Sequence, residues 1–137
     1  MFVEDNETIK VTLYFKKKKT SAGLRVESSL EKVKEVEKVD FKAAAFELRP
    51  LTWKVYNELM RESKVQNPMT MADDTDWTTY RERKLLRILA KWDAKDAAGK
   101  DIPVTPDNIM RLHPIMAETL LNEYDRVAFL GEEERKN

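Results

Sequence analysis

The chain has 137 residues, 42% of them hydrophobic and 36% charged, which suits a single domain with a compact core under a densely charged surface. Its 25 basic and 25 acidic side chains cancel at pH 7, so no overall field draws in nucleic acid or an anionic membrane. Cysteine does not occur, which excludes disulfides and thiolate chemistry and agrees with a reducing compartment.

The N-terminal segment alternates between apolar and polar residues. Between Thr8 and Lys16, every second position is apolar: Ile9, Val11, Leu13 and Phe15. A period of two predicts a half-buried β-strand. The lysines from Lys16 to Lys19 continue it as a solvated strand end, which we expect to enter a turn finishing at Gly23.

Residues 24 to 49 carry a weaker extended pattern. We predict a short strand from Leu24 to Val26, a charged connection, and a further strand from about Val39 to Leu48. The alanines at positions 43 to 45 suit a helix as readily, and that alternative stays open at this stage.

Helical spacing begins after Pro50, with Thr52 as a suitable N-cap. Apolar residues then recur at spacings of three and four: Trp53, Tyr56, Leu59 and Met60. The pattern predicts a helix that ends near Ser63 and turns this stripe inward. The polar residues 64 to 76 predict a loop.

A second helix is predicted from about Trp77 to Trp92. Its inward stripe consists of Leu85, Ile88, Leu89 and Trp92. Its outward face is basic and consists of Arg83, Lys84, Arg87 and Lys91. The helix is therefore expected to pack on the core with one side and to meet solvent with the other.

The C-terminal third contains two further helix starts. Thr105 caps a short helix whose first residue is Pro106, where proline misses no hydrogen bond, and which we expect to end near His113. Pro114 opens the last helix, and Gly131 is expected to end it. The inward residues of this last helix are Met116, Leu120, Tyr124 and Val127.

Together these elements predict one α+β domain over residues 1–137, with a small N-terminal antiparallel β-sheet or hairpin followed by about four α-helices. Residues 1–49 are mainly extended, residues 50–130 are helical, and residues 131–137 form a charged tail. No run reaches the ~18 apolar residues of a membrane span. Met1 to Lys19 lacks a signal-peptide core, so we expect a soluble intracellular protein.

The sequence offers little for catalysis. The single histidine, His113, precedes a proline in a chain with no cysteine and no second histidine, so we interpret it as a helix cap or spacer. Neither aspartate group has the spacing of a calcium loop, and both suit turns and caps: Asp73, Asp74 and Asp76, and Asp93, Asp96 and Asp101. The three glycines are scattered singly, so there is no phosphate-binding loop. We predict no enzyme activity, no cofactor and no metal.

Protein binding fits the residue pattern better. Trp77, at a helix start, is a candidate interface anchor. The basic face of Arg83, Lys84 and Arg87 suits an acidic protein at least as well as nucleic acid, because no aromatic residues interleave with the charges. The strand residues Ile9, Val11, Leu13 and Phe15 complete the candidate protein-binding set, because a strand edge can pair with a partner's strand.

One segment has a recognisable order of residues, comprising Trp92-Asp93, Gly99, Ile102-Pro103-Val104-Thr105-Pro106 and Asn108. This order resembles the tail assembly chaperones of long-tailed bacteriophages. In that family a helix ending in Trp-Asp or Trp-Glu leads through an acidic, glycine-containing turn to a Thr-Pro helix start. A looser similarity extends over residues 41–130, and the charged residues 16–38 have no counterpart.

The resemblance implies a protein that holds the tail tube protein, the tape measure protein or both ready for polymerisation in the host cytoplasm, masking strand edges that would otherwise pair too early. These tail proteins would be its partners, with no small-molecule substrate and no membrane, and a homo-oligomer is left open. Two alternatives are a structural component of the virion, such as a tail or head-tail joining protein, and a small regulatory or nucleic-acid-binding protein.

Overall fold

The structure is a computed structural model that describes residues 2–3, 7–20, 23–29 and 42–135, with side chains described for residues 2–3, 7–16 and 42–128. Six strands and four helices occur in these ranges. In chain order they are β1 (Ile9–Thr20), β2 (Gly23–Ser29), β3 (Lys42–Leu48), α1 (Trp53–Glu62), β4 (Lys64–Gln66), β5 (Asp73–Thr75), α2 (Trp77–Ile88), β6 (Leu89–Trp92), α3 (Pro106–Met110) and α4 (Pro114–Arg135). The expected α+β fold, a largely N-terminal antiparallel sheet followed by four helices, is confirmed.

The main sheet is antiparallel and has the strand order β2-β1-β3-β6. The long strand β1 pairs with β3 over Ile9 to Phe15 and with β2 over Tyr14 to Thr20. The predicted strand from Leu24 to Val26 lies within β2, and alanines 43 to 45 are strand and not helix. Val39 and Phe41, at the expected start of the third strand, lie outside the described residues.

The core forms where three helices cover one face of this sheet. Strand residues Val11, Leu13, Phe46, Leu48 and Leu89 meet helix residues Leu85, Ile88, Ile109, Met116, Leu120, Leu121 and Tyr124. Alternation on the strands and three-to-four spacing on the helices place these residues on facing surfaces. Helix α1 stands apart from this cluster, because Leu59 is the only one of its residues that is buried.

The secondary structure differs from the sequence expectations in one hairpin and at three helix ends. The expected loop at residues 64 to 76 contains a hairpin of β4 and β5, in which Lys64 pairs with Thr75 and its ammonium lies 2.8 Å from the Asp73 carboxylate. Both strands have three residues and are exposed apart from half-buried Thr75, so they carry no apolar alternation that a sequence pattern would show.

The second helix ends at Ile88, four residues earlier than expected, and Leu89 to Trp92 form the edge strand β6. The backbone N–H of Arg49 donates to the Ile88 carbonyl at 2.6 Å, and its guanidinium donates to the Leu89 carbonyl at 3.2 Å. These bonds satisfy carbonyls at the helix end and lead the chain into pairing with β3.

Helix α3 ends at Met110, before His113. A residue that precedes proline is pushed out of the helical region, and the His113 Nδ1 instead accepts a hydrogen bond from the Ile115 N–H at 3.2 Å, as a helix cap does. Helix α4 continues past Gly131 to Arg135, since an interior glycine costs only ~1 kcal/mol relative to alanine. Among the described residues, no helix has both the length and the apolar character needed to cross a bilayer.

Candidate functional site

Two aromatic pairs, one on α1 and one on α2, are at least partly exposed, and we refer to them together as the aromatic surface: Trp53 with Tyr56, and Trp77 with Tyr80. Trp53 stacks on Tyr56 with ring centroids 5.9 Å apart, and Trp77 meets Tyr80 edge-on at 5.4 Å. Trp53 is 77% exposed and Trp77 is 60% exposed. Soluble proteins rarely leave two large apolar side chains exposed to water on neighbouring helices. Exposed tryptophans of this kind mark binding sites.

Both tryptophans are exposed for the same local reason. Trp53 directly follows the N-cap Thr52, and Trp77 directly follows the N-cap Asp76. Helical side chains lean toward the N-terminus and cover the preceding turn, but a first-turn residue has no preceding turn to cover. The caps hold these starts firmly. The hydroxyl of Thr79 and the N–H groups of Thr79 and Thr78 donate to Asp76, and they lower the pKa of its carboxyl.

A buried cation lies at the inner border of the aromatic surface. The Lys84 ammonium is 5.5 Å from the ring centroid of Tyr80 and 5.2 Å from that of Tyr124, and it pairs with Asp125. Burial, together with the nearby Tyr56 and Asp125, raises the pKa of Tyr80. Lys84 itself is only 6% exposed. The expectation that it faces solvent was wrong, because two tyrosine rings and a carboxylate provide the site that a buried ammonium needs.

The remaining residues of the predicted basic face are exposed but paired: Arg83 and Arg87 with acidic residues of α1, and Lys91 with Glu47 of β3 at 4.0 Å. Arg83 lies 3.5 Å from the Glu62 carboxylate, and Arg87 lies 2.9 Å from that of Glu58 and 3.1 Å from that of Glu62. The hydrogen bond to Glu62 is the main cause that raises the pKa of Arg87, followed by the bond to Glu58. The face therefore carries alternating charge instead of a positive stripe.

The four candidate binding residues of β1 turn their side chains toward the core. Val11 and Leu13 are buried in the core, and Ile9 and Phe15 pack against it half-buried. The backbone pairs with β3 throughout this stretch, and β2 is added from Tyr14 onward. Because β2 pairs with β1 only from Tyr14 onward, the expectation that Ile9, Val11 and Leu13 accompany an open strand edge stays a prediction.

The residues that carry the family resemblance fold into one corner between β6 and α3. The Trp92 indole N–H donates to the Ile102 carbonyl at 2.6 Å, and the Asp93 carboxylate accepts from the Ala45 N–H at 3.0 Å. Gly99 has a φ of +81°, a left-handed conformation that favours glycine. At the far end Thr105 caps α3 and the Asn108 amide donates to the Pro103 carbonyl at 2.9 Å. Each quoted polar residue therefore has a local bonding role.

Next to this corner a cleft of about 550 Å³ opens at one end of the main sheet, and we call it the sheet-end cleft. Its lining comes from the sheet, from the segment after β6 and from the junction of α3 with α4. Its apolar lining includes Phe15, Ala44, Phe46, Trp92 and Met116, and its charged or titratable lining includes Lys42, Asp93, Lys95, Arg111 and His113. A volume in the ~300–1,000 Å³ range is typical of binding pockets.

Aspartates of the two groups considered in the sequence analysis have structural roles. Asp76 caps α2, Asp96 accepts the N–H groups of Ala98 and Lys100 across a turn, and Asp101 pairs with Lys95 at 2.5 Å. Within the described ranges, no three histidine, cysteine or acidic side chains are grouped to hold a metal ion.

In comparisons with known proteins, no family model, curated protein or solved structure matches this chain.

The structure adds two residues to the candidate site that the sequence pattern had assigned to the core. Trp53 and Tyr56 form half of the aromatic surface, and the signal that could have identified them is the position of Trp53 directly after its N-cap, which Trp77 shares.

Proposed function

We propose that this chain acts by binding other polypeptides through the aromatic surface, and that it has no catalytic role. We propose further that it is a tail assembly chaperone of a long-tailed bacteriophage, which binds the tail tube protein, the tape measure protein or both in the host cytoplasm. The exposure of Trp53 and Trp77, 77% and 60%, is the observation that carries the proposal.

The aromatic surface suits the task of sheltering an apolar partner. Tryptophan and tyrosine are enriched among the residues that dominate binding energy, and they add large contact areas with few rotatable bonds. Tail subunits before polymerisation expose strand edges and apolar faces that associate too early unless they are covered. A chaperone needs an apolar surface that is stable in the free state, and the two capped helix starts supply one.

The choice of phage tail proteins as partners rests on the resemblance over Trp92 to Asn108. Its residues form one bonded corner through Trp92, Asp93 and Asn108, so the residues that carry the resemblance lie together in the fold. Nucleic-acid binding is less well supported, because Arg83 and Arg87 are occupied by Glu58 and Glu62, and Lys84 is buried.

The direct test is co-expression with the products of the neighbouring genes, among which we expect a tail tube or tape measure protein, followed by affinity capture. We expect capture of at least one such tail protein, and a loss of about tenfold or more in affinity for the Trp53→Ala/Trp77→Ala variant. Met110→Ala is the matched control, because Met110 is also an exposed apolar residue, at 53%, but lies outside the aromatic surface.

Unchanged capture by the double tryptophan variant would show that the aromatic surface is not the binding site. Mass spectrometry of purified virions separates the chaperone from the structural alternative. A chaperone is missing from the finished particle, whereas a tail or head-tail joining component is found there in a fixed copy number.

A further inference from the structure

The sheet-end cleft combines apolar lining residues with cations from two separate elements. Phe46 and Trp92 face each other across the β3–β6 pair and extend the apolar face of the sheet into the cleft. Lys42, at the first position of β3, and Arg111, the C-cap of α3, both line the cleft. Both of these residues are exposed.

The charges in the cleft do not cancel within the lining. Lys95 is held by Asp101 at 2.5 Å, and the Asp93 carboxylate accepts from the Ala45 N–H at 3.0 Å and keeps its negative charge. Neither Lys42 nor Arg111 has an ion-pair partner among the described residues. With Lys42 and Arg111 against Asp93, the lining keeps a net positive charge beside its apolar residues, which is the complement of an apolar group flanked by carboxylates.

We propose that the sheet-end cleft binds a polypeptide segment whose apolar side chains are flanked by aspartate or glutamate. The proposal rests on the proposed protein-binding role and adds a second site, which shares no residue with the aromatic surface. A fatty acid carries one carboxylate, whereas Lys42 and Arg111 belong to two different elements that line the cleft and suit a ligand with more than one. The cleft is partly open to solvent, which suits a chain that enters and leaves it.

The test uses the full chain as bait for a yeast-displayed library of random peptides, with counter-selection on Ala44→Trp, which fills the cleft. The retained peptides are then synthesised with a fluorescent label, and their Kd is measured by anisotropy. We expect enrichment of leucine or phenylalanine together with aspartate or glutamate. We also expect about tenfold weaker binding when the acidic residues are replaced by their amides.

Charge reversal of Lys42 and Arg111 tests the charged part of the lining and leaves the apolar lining residues unchanged. Lys42→Glu/Arg111→Glu should weaken binding of the selected peptide by about tenfold or more. Lys100→Glu is the matched control, because Lys100 is exposed and does not line the cleft, and its Kd should stay within about twofold of the unaltered chain. Both substitutions lie at exposed positions, so the variants remain informative if Ala44→Trp does not fold.

Three results would overturn the proposal: retained peptides without acidic enrichment, a Kd that the double reversal leaves unchanged, or binding of dodecanoate by a chain that retains no peptide. The outcome is separable from that of the proposed function. Trp53→Ala/Trp77→Ala should leave the Kd of the selected peptide unchanged. The tryptophan variant therefore reports on tail-protein capture, and the Lys42→Glu/Arg111→Glu variant reports on peptide binding.

Discussion

The Tyr124 hydroxyl ties the last helix to the segment that leads into α1. It donates to the Arg49 carbonyl at 3.2 Å and accepts from the Leu51 N–H at 2.8 Å. The ring is 2% exposed, and burial is the main cause that raises the pKa of Tyr124 to about 12. One side chain thereby satisfies two backbone groups that lie between the sheet and the first helix.

Tyr124→Phe tests this contact through its pH dependence. Near neutral pH we expect the free energy of unfolding to fall by about 1–2 kcal/mol, because the Leu51 N–H loses its partner. In the unaltered chain an unfolded tyrosine releases its proton near pH 10 but the folded one only near pH 12. The folded state therefore holds the extra proton in this window, and stability should fall as the pH rises from 10 to 12.

The phenylalanine variant should lack most of that decline. Urea unfolding at several pH values, followed by circular dichroism, gives both results. An equally steep decline in the two proteins would show that Tyr124 is not its source.

Lys84 and Asp125 form a pair whose two members are unequal in exposure, with side chains 8% and 41% exposed. Removing the carboxylate with Asp125→Ala leaves a buried ammonium without its counter-charge, and we expect a loss of about 2 kcal/mol. Lys84→Met keeps a long unbranched side chain between the Tyr80 and Tyr124 rings and removes the charge. We expect a smaller loss of unfolding free energy for this variant. Thermal unfolding of both variants gives the ranking, and a larger loss for Lys84→Met would contradict this account.

At the scale of elements, β6 depends on partners that are distant in sequence. The Asp93 carboxylate accepts from the Ala45 N–H at 3.0 Å, and the Asp93 N–H donates to the Ala45 carbonyl at 3.2 Å. Asp93→Ala should lower the free energy of unfolding by about 1 kcal/mol, because the Ala45 N–H in the middle of β3 loses its acceptor. Asp93→Asn keeps an acceptor oxygen and is the matched control. Equal urea midpoints for the two variants would exclude the side-chain bond as the cause.

The same strand shows where sequence patterns stop being informative about elements. Leu85, Ile88, Leu89 and Trp92 satisfy helical spacing throughout, yet only the first two lie in α2. Pairing of Leu89 with Leu48 and of Trp92 with Phe46 replaces the last helical turn. The free energy that favours the strand comes from pairing with β3, which is distant in sequence. The local spacing of apolar residues contains no information about that pairing.

At the scale of the whole molecule, a net charge of zero coincides with an exposed aromatic surface. The pI is about 6.6, so repulsion between copies is weakest near that pH, and the aromatic surface is then free to associate. We expect light scattering to show an apparent mass that rises with concentration near the pI and rises less at about pH 8.5.

Trp53→Ser/Trp77→Ser should reduce this association and leave the melting temperature nearly unchanged, because both side chains are exposed. Met110→Ser is the control for removal of an exposed apolar side chain elsewhere. Association that persists in the tryptophan variant would assign it to another surface.

Local order in the sequence determined the first strand, the caps at Thr52 and Thr105, and the break at Pro114, because these features depend on neighbours a few residues away. The α+β fold followed from them. The tertiary structure decided which stripes become core: Leu85 and Ile88 are buried, whereas Trp53 and Tyr56 face solvent. A stripe shows only that a face is apolar, and whether it is covered depends on whether another element reaches it. The burial of Lys84, the pairing of Arg87 and the sheet-end cleft were decided in the same way, by groups that come together only when the helices pack on the sheet.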